Sequence, residues 1–113
     1  MITLSRIQLE EYVLPKIKND LVYKAFKKVD RKLFLPGEWS NYAYRDDAIN
    51  LGRDFSISQP SLVAEMIDLL DLTGSEKVLE IGTGSGYSTA ILSLCCKTVD
   101  TIEIDPELVK NAR

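Results

Sequence analysis

An α/β fold of the Rossmann-like kind, incomplete within this chain, is what the sequence predicts, and three stretches predict it. Val78, Leu79 and Ile81 form a short apolar run, as a buried parallel strand needs. The run passes directly into Gly82-Thr83-Gly84-Ser85-Gly86, after which Tyr87, Ala90, Ile91, Leu94 and Cys95 recur at helical spacing. A second run follows from Thr98 to Ile104, with Val99, Ile102 and Ile104 as its apolar members. Strand, glycine turn, helix and strand open a nucleotide-binding βαβ unit of a mainly parallel sheet. Residues 1–60 then form a helical extension with a substrate-side loop, and 61–113 the start of the Rossmann-like domain.

The turn narrows the ligand. A dinucleotide loop of the form G-x-G-x-x-G wants its third glycine at position 87, which is Tyr87; here the third glycine is Gly86, giving Glu-x-G-x-G-x-G from Glu80. A carboxylate at the strand end repels a pyrophosphate but suits a ligand carrying an ammonium and a sulfonium. S-adenosylmethionine (AdoMet) is that ligand. A second acid, Glu103, stands 21 residues after Gly82, near the end of the second run, where a ribose-binding carboxylate belongs.

Ahead of this unit, Ser5-Arg6-Ile7-Gln8 reads as a capping box opening a helix that Pro15 ends or kinks. Asn19 caps a second helix with Leu21, Val22, Ala25, Phe26 and Val29 on one face. The basic cluster Lys24, Lys27, Lys28, Arg31 and Lys32 reads as a solvated face. From Leu33 to Asn50 the chain looks irregular, with a turn at Pro36-Gly37. Its rings Trp39, Tyr42 and Tyr44 either pin the loop to the core, the favoured reading, or wall a peptide groove. Pro60 suits the first turn of a third helix, with Leu62, Val63, Met66, Ile67 and Leu70 as its buried face and Thr73-Gly74 as its stop. Ser56 and Ser58 then fall at or just before that helix, where hydroxyls and free N–H groups either cap it or bind an anion. Asp105-Pro106 caps and starts the last helix.

Composition excludes several classes. The 113 residues are 45% hydrophobic and 27% charged, which suits a globular chain of at most one domain. With a formal charge of −3 and no basic run, nucleic acid and anionic membrane are poor partners. No stretch approaches a membrane span, and Met1 to Arg6 lack a signal-peptide core. Adjacent Cys95 and Cys96 do not look like a secreted disulfide framework; they predict helix packing and a reducing cytoplasm, with no metal. The absence of histidine removes the usual general base.

Several separated motifs agree on one family. Val29-Asp30-Arg31-Lys32-Leu33-Phe34, Ala43-Tyr44-Arg45-Asp46, Ser56-Ile57-Ser58-Gln59-Pro60 and Glu80 to Tyr87 occur in the order seen in the protein-L-isoaspartate O-methyltransferases, which this chain resembles from about Leu21 onward. The resemblance implies an AdoMet-dependent methyltransferase fold. It implies methyl transfer to the α-carboxylate of L-isoaspartyl residues in damaged proteins, whose ester closes to a succinimide that reopens to normal aspartate. It matches Ser58 to the active-site serine, Ser56 and Ile57 to its flanking signature, Gly82, Thr83, Gly84, Ser85 and Gly86 to the AdoMet loop, and Glu103 to the ribose-binding acid.

A carboxylate acceptor is ionised at neutral pH, so the chemistry needs no strong base and tolerates the lack of histidine. The chain departs from the family at Asp30, where proline is usual, at Ser56, where threonine is usual, and at Asp54-Phe55, where Gly-Gln is common. An added carboxylate at Asp54 leaves room for a different peptide carboxylate as acceptor. Family chains run on for about another hundred residues with further strands, and two parallel strands cannot cover their edges or both faces. The chain is therefore expected to be an N-terminal part, dependent on a complementary C-terminal polypeptide, with a non-catalytic AdoMet-binding or assembly fragment as the alternative.

Overall fold

The computed structural model describes residues 5–52 and 55–112. Helix α1, Arg6–Val13, opens with the expected capping box between Ser5 and Gln8, and a 3-10 turn over Leu14–Lys16 absorbs Pro15. Helix α2, Asp20–Lys28, is capped by the Asn19 side chain and buries Val22, Ala25 and Phe26. Two further 3-10 turns, Arg31–Phe34 and Gly37–Tyr42, carry the chain to an antiparallel hairpin of β1, Ile49–Gly52, and β2, Phe55–Ile57. Helix α3, Pro60–Leu69, follows with Pro60 in its first turn. Strand β3, Lys77–Ile81, helix α4, Tyr87–Ser93, and strand β4, Thr98–Ile102, make the predicted βαβ unit, paired in parallel from Lys77↔Thr98 to Ile81↔Ile102. Helix α5, Pro106–Ala112, closes the described chain, with the Asp105 carboxylate accepting from the Glu107 N–H at 3.0 Å.

The main core joins α1, α2, α3 and α4 through residues such as Val13, Val22, Ala64 and Ile91. Cys95 and Cys96 are buried free thiols within it, as packing predicts, and burial pushes the Cys95 pKa up to about 11. A smaller cluster of Leu35, Ala43, Ile49 and Ile57 lies under the hairpin.

Four expectations change. The hairpin replaces part of the expected irregular stretch; its strands are four and three residues long with a register shift near Gly52, too short for alternation to announce them. The buried face of α3 is Val63, Ala64 and Ile67, while Leu62, Met66 and Leu70 point outward. Arg31 is not on a solvated face: it is 2% exposed. Strands β3 and β4 are not buried on both sides. Val78, Glu80, Val99 and Thr101 face inward, but Leu79 is 63% exposed, Ile81 80%, Ile102 54% and Ile104 97%. The apolar runs were written for a sheet with two covered faces, and the described residues cover one.

Candidate functional site

The glycine loop takes its form from its backbone. Gly82, Gly84 and Gly86 have φ of +91°, +56° and +91°, the left-handed region. The N–H groups of Gly82 and Thr83 donate to the Ile102 carbonyl at 2.8 and 3.2 Å, which fastens the loop to the end of β4. The Gly86 N–H donates to the Thr83 carbonyl at 2.9 Å, and the Ser85 hydroxyl accepts from the Tyr87 N–H at 3.3 Å. At Gly84 a Cβ would stand 3.3 Å from the Phe55 ring, whereas beside Gly82 there is open space.

Of the two predicted acids, Glu103 bonds to this loop directly and Glu80 is linked to it through a chain of hydroxyls. Glu103 accepts from the Gly84 N–H at 2.8 Å and from the Asp105 N–H at 3.1 Å, and these backbone donors hold its pKa below the ordinary carboxylate value. Glu80 accepts from the Ser88 hydroxyl at 2.6 Å, from the Thr101 hydroxyl at 2.8 Å and from the Thr89 hydroxyl. The Thr83 hydroxyl lies 2.6 Å from that of Thr101. A hydroxyl chain thus runs from the loop to Glu80, tying β3, β4 and α4 together. Thr83, Gly86, Thr101 and Glu103 line a cavity of about 350 Å3, with Phe34 at its side. That volume lies within the range of about 300–1,000 Å3 typical of small-molecule sites. The Phe34 ring packs edge-on against Tyr87 at 5.7 Å, so the N-terminal extension reaches the glycine loop. Burial drives the Tyr87 phenol pKa far upward.

The serine segment is held quite differently. Ser56 is exposed on β2, Ile57 is buried in the hairpin cluster, and the Ser58 side chain is exposed. Ser58 does not cap α3: the cap position is Gln59, whose side chain makes no capping bond but donates to the Ser61 hydroxyl at 3.0 Å, and Ser61 in the first turn takes the anchoring role. The Asp46 carboxylate accepts from the Ser61 N–H and hydroxyl, both at 2.7 Å. The Ser58 carbonyl accepts from the Arg31 guanidinium at 3.1 Å. Burial pulls the Arg31 pKa down, opposed by the fields of Tyr87, Asp46 and Asp47. The Phe55 ring, three residues before Ser58, stands beside Gly84, near enough that an added Cβ there would press on it.

Of the rings, Tyr44 pins the loop, donating to Asp30 at 2.9 Å. Tyr42 also packs on the small cluster under the hairpin, and with Trp39, 5.9 Å away, it lines an open groove of about 460 Å3 with Ile49 and Asn50. Sequence reasoning met Arg31 and Asp46 only as members of motifs, with no role of their own, and did not single out Ser61, Ser88, Thr89 or Thr101. For Glu80 a signal existed: Ser88 and Thr89 are eight and nine residues on, beyond a turn that reverses the chain. For Arg31, with partners 12 to 27 residues away, no local pattern points to them. Asp54 lies outside the described residues, as do Met1 to Leu4.

A parallel βαβ unit whose glycine turn is tied to an acid past the second strand is the opening of a Rossmann-like, methyltransferase-type fold. The model of the family described as "Protein-L-isoaspartate(D-aspartate) O-methyltransferase (PCMT)" matches residues 8–113, and the chain belongs to that family. A relative from Dictyoglomus turgidum named protein-L-isoaspartate O-methyltransferase is 50% identical over 97 residues, 86% of this chain and 44% of the relative. A solved protein-L-isoaspartate O-methyltransferase superposes with a TM-score of 0.82 at 29% identity, covering 96% of this chain and 37% of its own. A Plasmodium falciparum structure described as a β-aspartate methyltransferase (PCMT) in complex with S-adenosyl-L-homocysteine shares the fold at 23% identity and a TM-score of 0.73; the match covers 96% of this chain and 53% of that one. The chain thus spans less than half the length of the Dictyoglomus relative.

Proposed function

We propose that this chain is part of an enzyme that transfers a methyl group from AdoMet to the α-carboxylate of L-isoaspartyl residues in damaged proteins. The observation that supports the reading is the Phe55 ring beside Gly84, which brings the strand leading to Ser58 near the glycine loop. Residues 61–113 form the AdoMet side and 1–60 the acceptor side of one site. The open space at Gly82, the hydroxyls of Thr83 and Thr101 and the carboxylate of Glu103 fit a ribose and an amino-acid moiety. Gly82 to Gly86 cradle the cosubstrate, Glu103 takes the ribose hydroxyls, and Glu80, steadied by its three hydroxyl donors, sets the negative field at the strand end. The neighbour solved with S-adenosyl-L-homocysteine supports AdoMet as that cosubstrate.

AdoMet supplies an electrophilic methyl on a sulfonium. The work left to this chain is orientation and exclusion of water. Ser58, with Ser56 and Ile57 beside it, holds the acceptor carboxylate by hydrogen bonding. The acceptor is already ionised, so no residue has to remove a proton. The bare face of β3 and β4 supports a further element of the reading: a complementary C-terminal polypeptide of strands and helices covers it and encloses the substrate. Buried free thiols at Cys95 and Cys96 support a reducing, cytoplasmic setting. Among the described residues no helix is long and apolar enough to cross a membrane.

The test is methyl transfer from labelled AdoMet to an isoaspartyl peptide, with the aspartyl isomer as control, by this chain alone and with a C-terminal polypeptide from a relative. Transfer confined to the isoaspartyl peptide supports the proposal. Transfer to the aspartyl isomer points to another peptide carboxylate as acceptor. AdoMet binding with no transfer in either arrangement points to a binding fragment.

A further inference from the structure

Arg31 is the largest of the fully buried side chains in the described structure. Among the described residues its charge has no carboxylate partner; four backbone carbonyls receive it instead. Nη1 donates to Ala43 at 3.3 Å and to Arg45 at 3.0 Å, and Nη2 to Asp47 at 3.0 Å and to Ser58 at 3.1 Å. A guanidinium has five N–H donors, four of them on its two terminal nitrogens. All four are engaged in a fan, and among the described residues Nε–H has no partner.

Those carbonyls come from two separate places. Three belong to the 43–47 loop, and the fourth belongs to the residue proposed to hold the acceptor. The loop is fixed at both ends of this fan, by Tyr44 on Asp30 and by Asp46 on Ser61 at the start of α3. The Ser58 carbonyl is attached to this frame through Arg31. A lysine could keep the charge but not the fan, because its three donors radiate from a single nitrogen.

We propose that Arg31 is a positioning residue of the acceptor site: it ties the Ser58 backbone to the 43–47 loop and thereby sets where the Ser58 hydroxyl stands relative to the glycine loop. The functional half of this inference rests on the reading of Ser58 as the acceptor-holding residue; the placement half does not.

The test compares the wild-type chain with Arg31→Lys and Arg31→Met by amide hydrogen exchange resolved to peptides, together with binding of AdoMet and of an isoaspartyl peptide. In Arg31→Lys, exchange is expected to rise about tenfold in peptides covering 43–48 and 55–61 and to stay unchanged in β3 and α4, as loss of a buried hydrogen bond implies. Isoaspartyl-peptide affinity is expected to fall about tenfold while AdoMet affinity stays within about twofold. Arg31→Met is expected to widen the same pattern. If it unfolds altogether, the lysine variant decides alone. Wild-type exchange in both segments of Arg31→Lys overturns the proposal, and so does acceleration spread evenly over α3, α4 and β3, which would make Arg31 a general stabiliser. Wild type that, with a complementary C-terminal polypeptide present, binds AdoMet but no isoaspartyl peptide defeats the reading of Ser58, while the exchange pattern still decides the placement.

Discussion

The glycine loop and the Ser58 segment meet at Phe55 and Gly84, yet what holds each in place differs in kind. The loop is shaped by its own backbone, with positive φ at three glycines, and by neighbours one strand away in the same βαβ unit. The serine segment is shaped by side chains arriving from far along the chain: Arg31 onto Ser58, and Asp46 onto Ser61. One half of the site is therefore a local property of the sequence, and the other a property of the assembled fold. Substitutions in the two halves should fail differently.

The largest effect is expected where the serine segment is anchored. Asp46→Ala leaves the buried Ser61 N–H and hydroxyl without their acceptor. The expected loss is about 2 kcal/mol of stability, with weaker peptide binding, because an orphaned buried donor forfeits its solvation as well as its bond. Urea denaturation checks the first and titration with an isoaspartyl peptide the second. Unchanged stability would show that the segment does not need the remote anchor.

A smaller effect, and one that probes the contact between the halves, comes from two glycines. Gly82→Ala and Gly84→Ala each impose a left-handed φ on alanine, costing about 1–2 kcal/mol. Around Gly82 the new methyl meets nothing within 4 Å, whereas at Gly84 it presses on the Phe55 ring at 3.3 Å. Gly84→Ala should therefore disturb peptide binding as well as AdoMet binding, and Gly82→Ala the AdoMet side alone. Calorimetry with each ligand separates them; equal behaviour would mean that the two halves are not coupled through Phe55.

These differences track what could be read in the sequence. The βαβ unit, the capping box at Ser5, the Asn19 cap and Pro60 at the head of α3 are all set within a turn or two of chain, and all were legible. The placement of Glu103 at the loop followed from strand-to-strand spacing. The β1–β2 hairpin was hidden because three- and four-residue strands with a register shift leave no periodic trace. Arg31 was hidden for a stronger reason. It sits in a run with Lys27, Lys28 and Lys32, and composition cannot tell which member of a basic run turns inward; four carbonyls 12 to 27 residues away decide that. The outward-facing Leu79, Ile81, Ile102 and Ile104 were legible as apolar but not as exposed, since exposure depends on what covers them.

Acid should loosen the glycine loop before it touches the serine anchor formed by Arg31. The Glu103 pKa lies below its ordinary 4.5 because the Gly84 and Asp105 N–H groups favour the charged form. A depressed carboxylate stabilises the fold in full above its unfolded value and loses that contribution as pH falls through the lower folded value. The Gly84 amide resonance should therefore shift on acidification below 4.5, while the amides of 56–58 hold, because the Ser58 carbonyl is bonded to Arg31, a group that stays charged throughout. Simultaneous movement of both sets would indicate global acid unfolding in place of a local release.

The smallest structural effect should accompany the sharpest functional one. The Ser58 side chain is exposed, and its carbonyl, not its hydroxyl, carries the bond to Arg31. Removing the hydroxyl leaves that bond in place, so Ser58→Ala should change stability by no more than about 0.5 kcal/mol. AdoMet binding should be unaffected for the same reason, because Glu103 and the glycine loop do not depend on it. In an active form, with a complementary polypeptide where one is needed, turnover on an isoaspartyl peptide should nevertheless fall at least tenfold, as loss of a hydrogen bond to a charged group implies, roughly 1.5–3 kcal/mol. The contrast with Arg31 is then complete: one residue positions the segment from behind and is felt in the fold, and the other acts from the segment's exposed side and is felt in the reaction. Equal turnover in Ser58→Ala and wild type would leave the positioned backbone, with its N–H groups, as the part of the segment that matters.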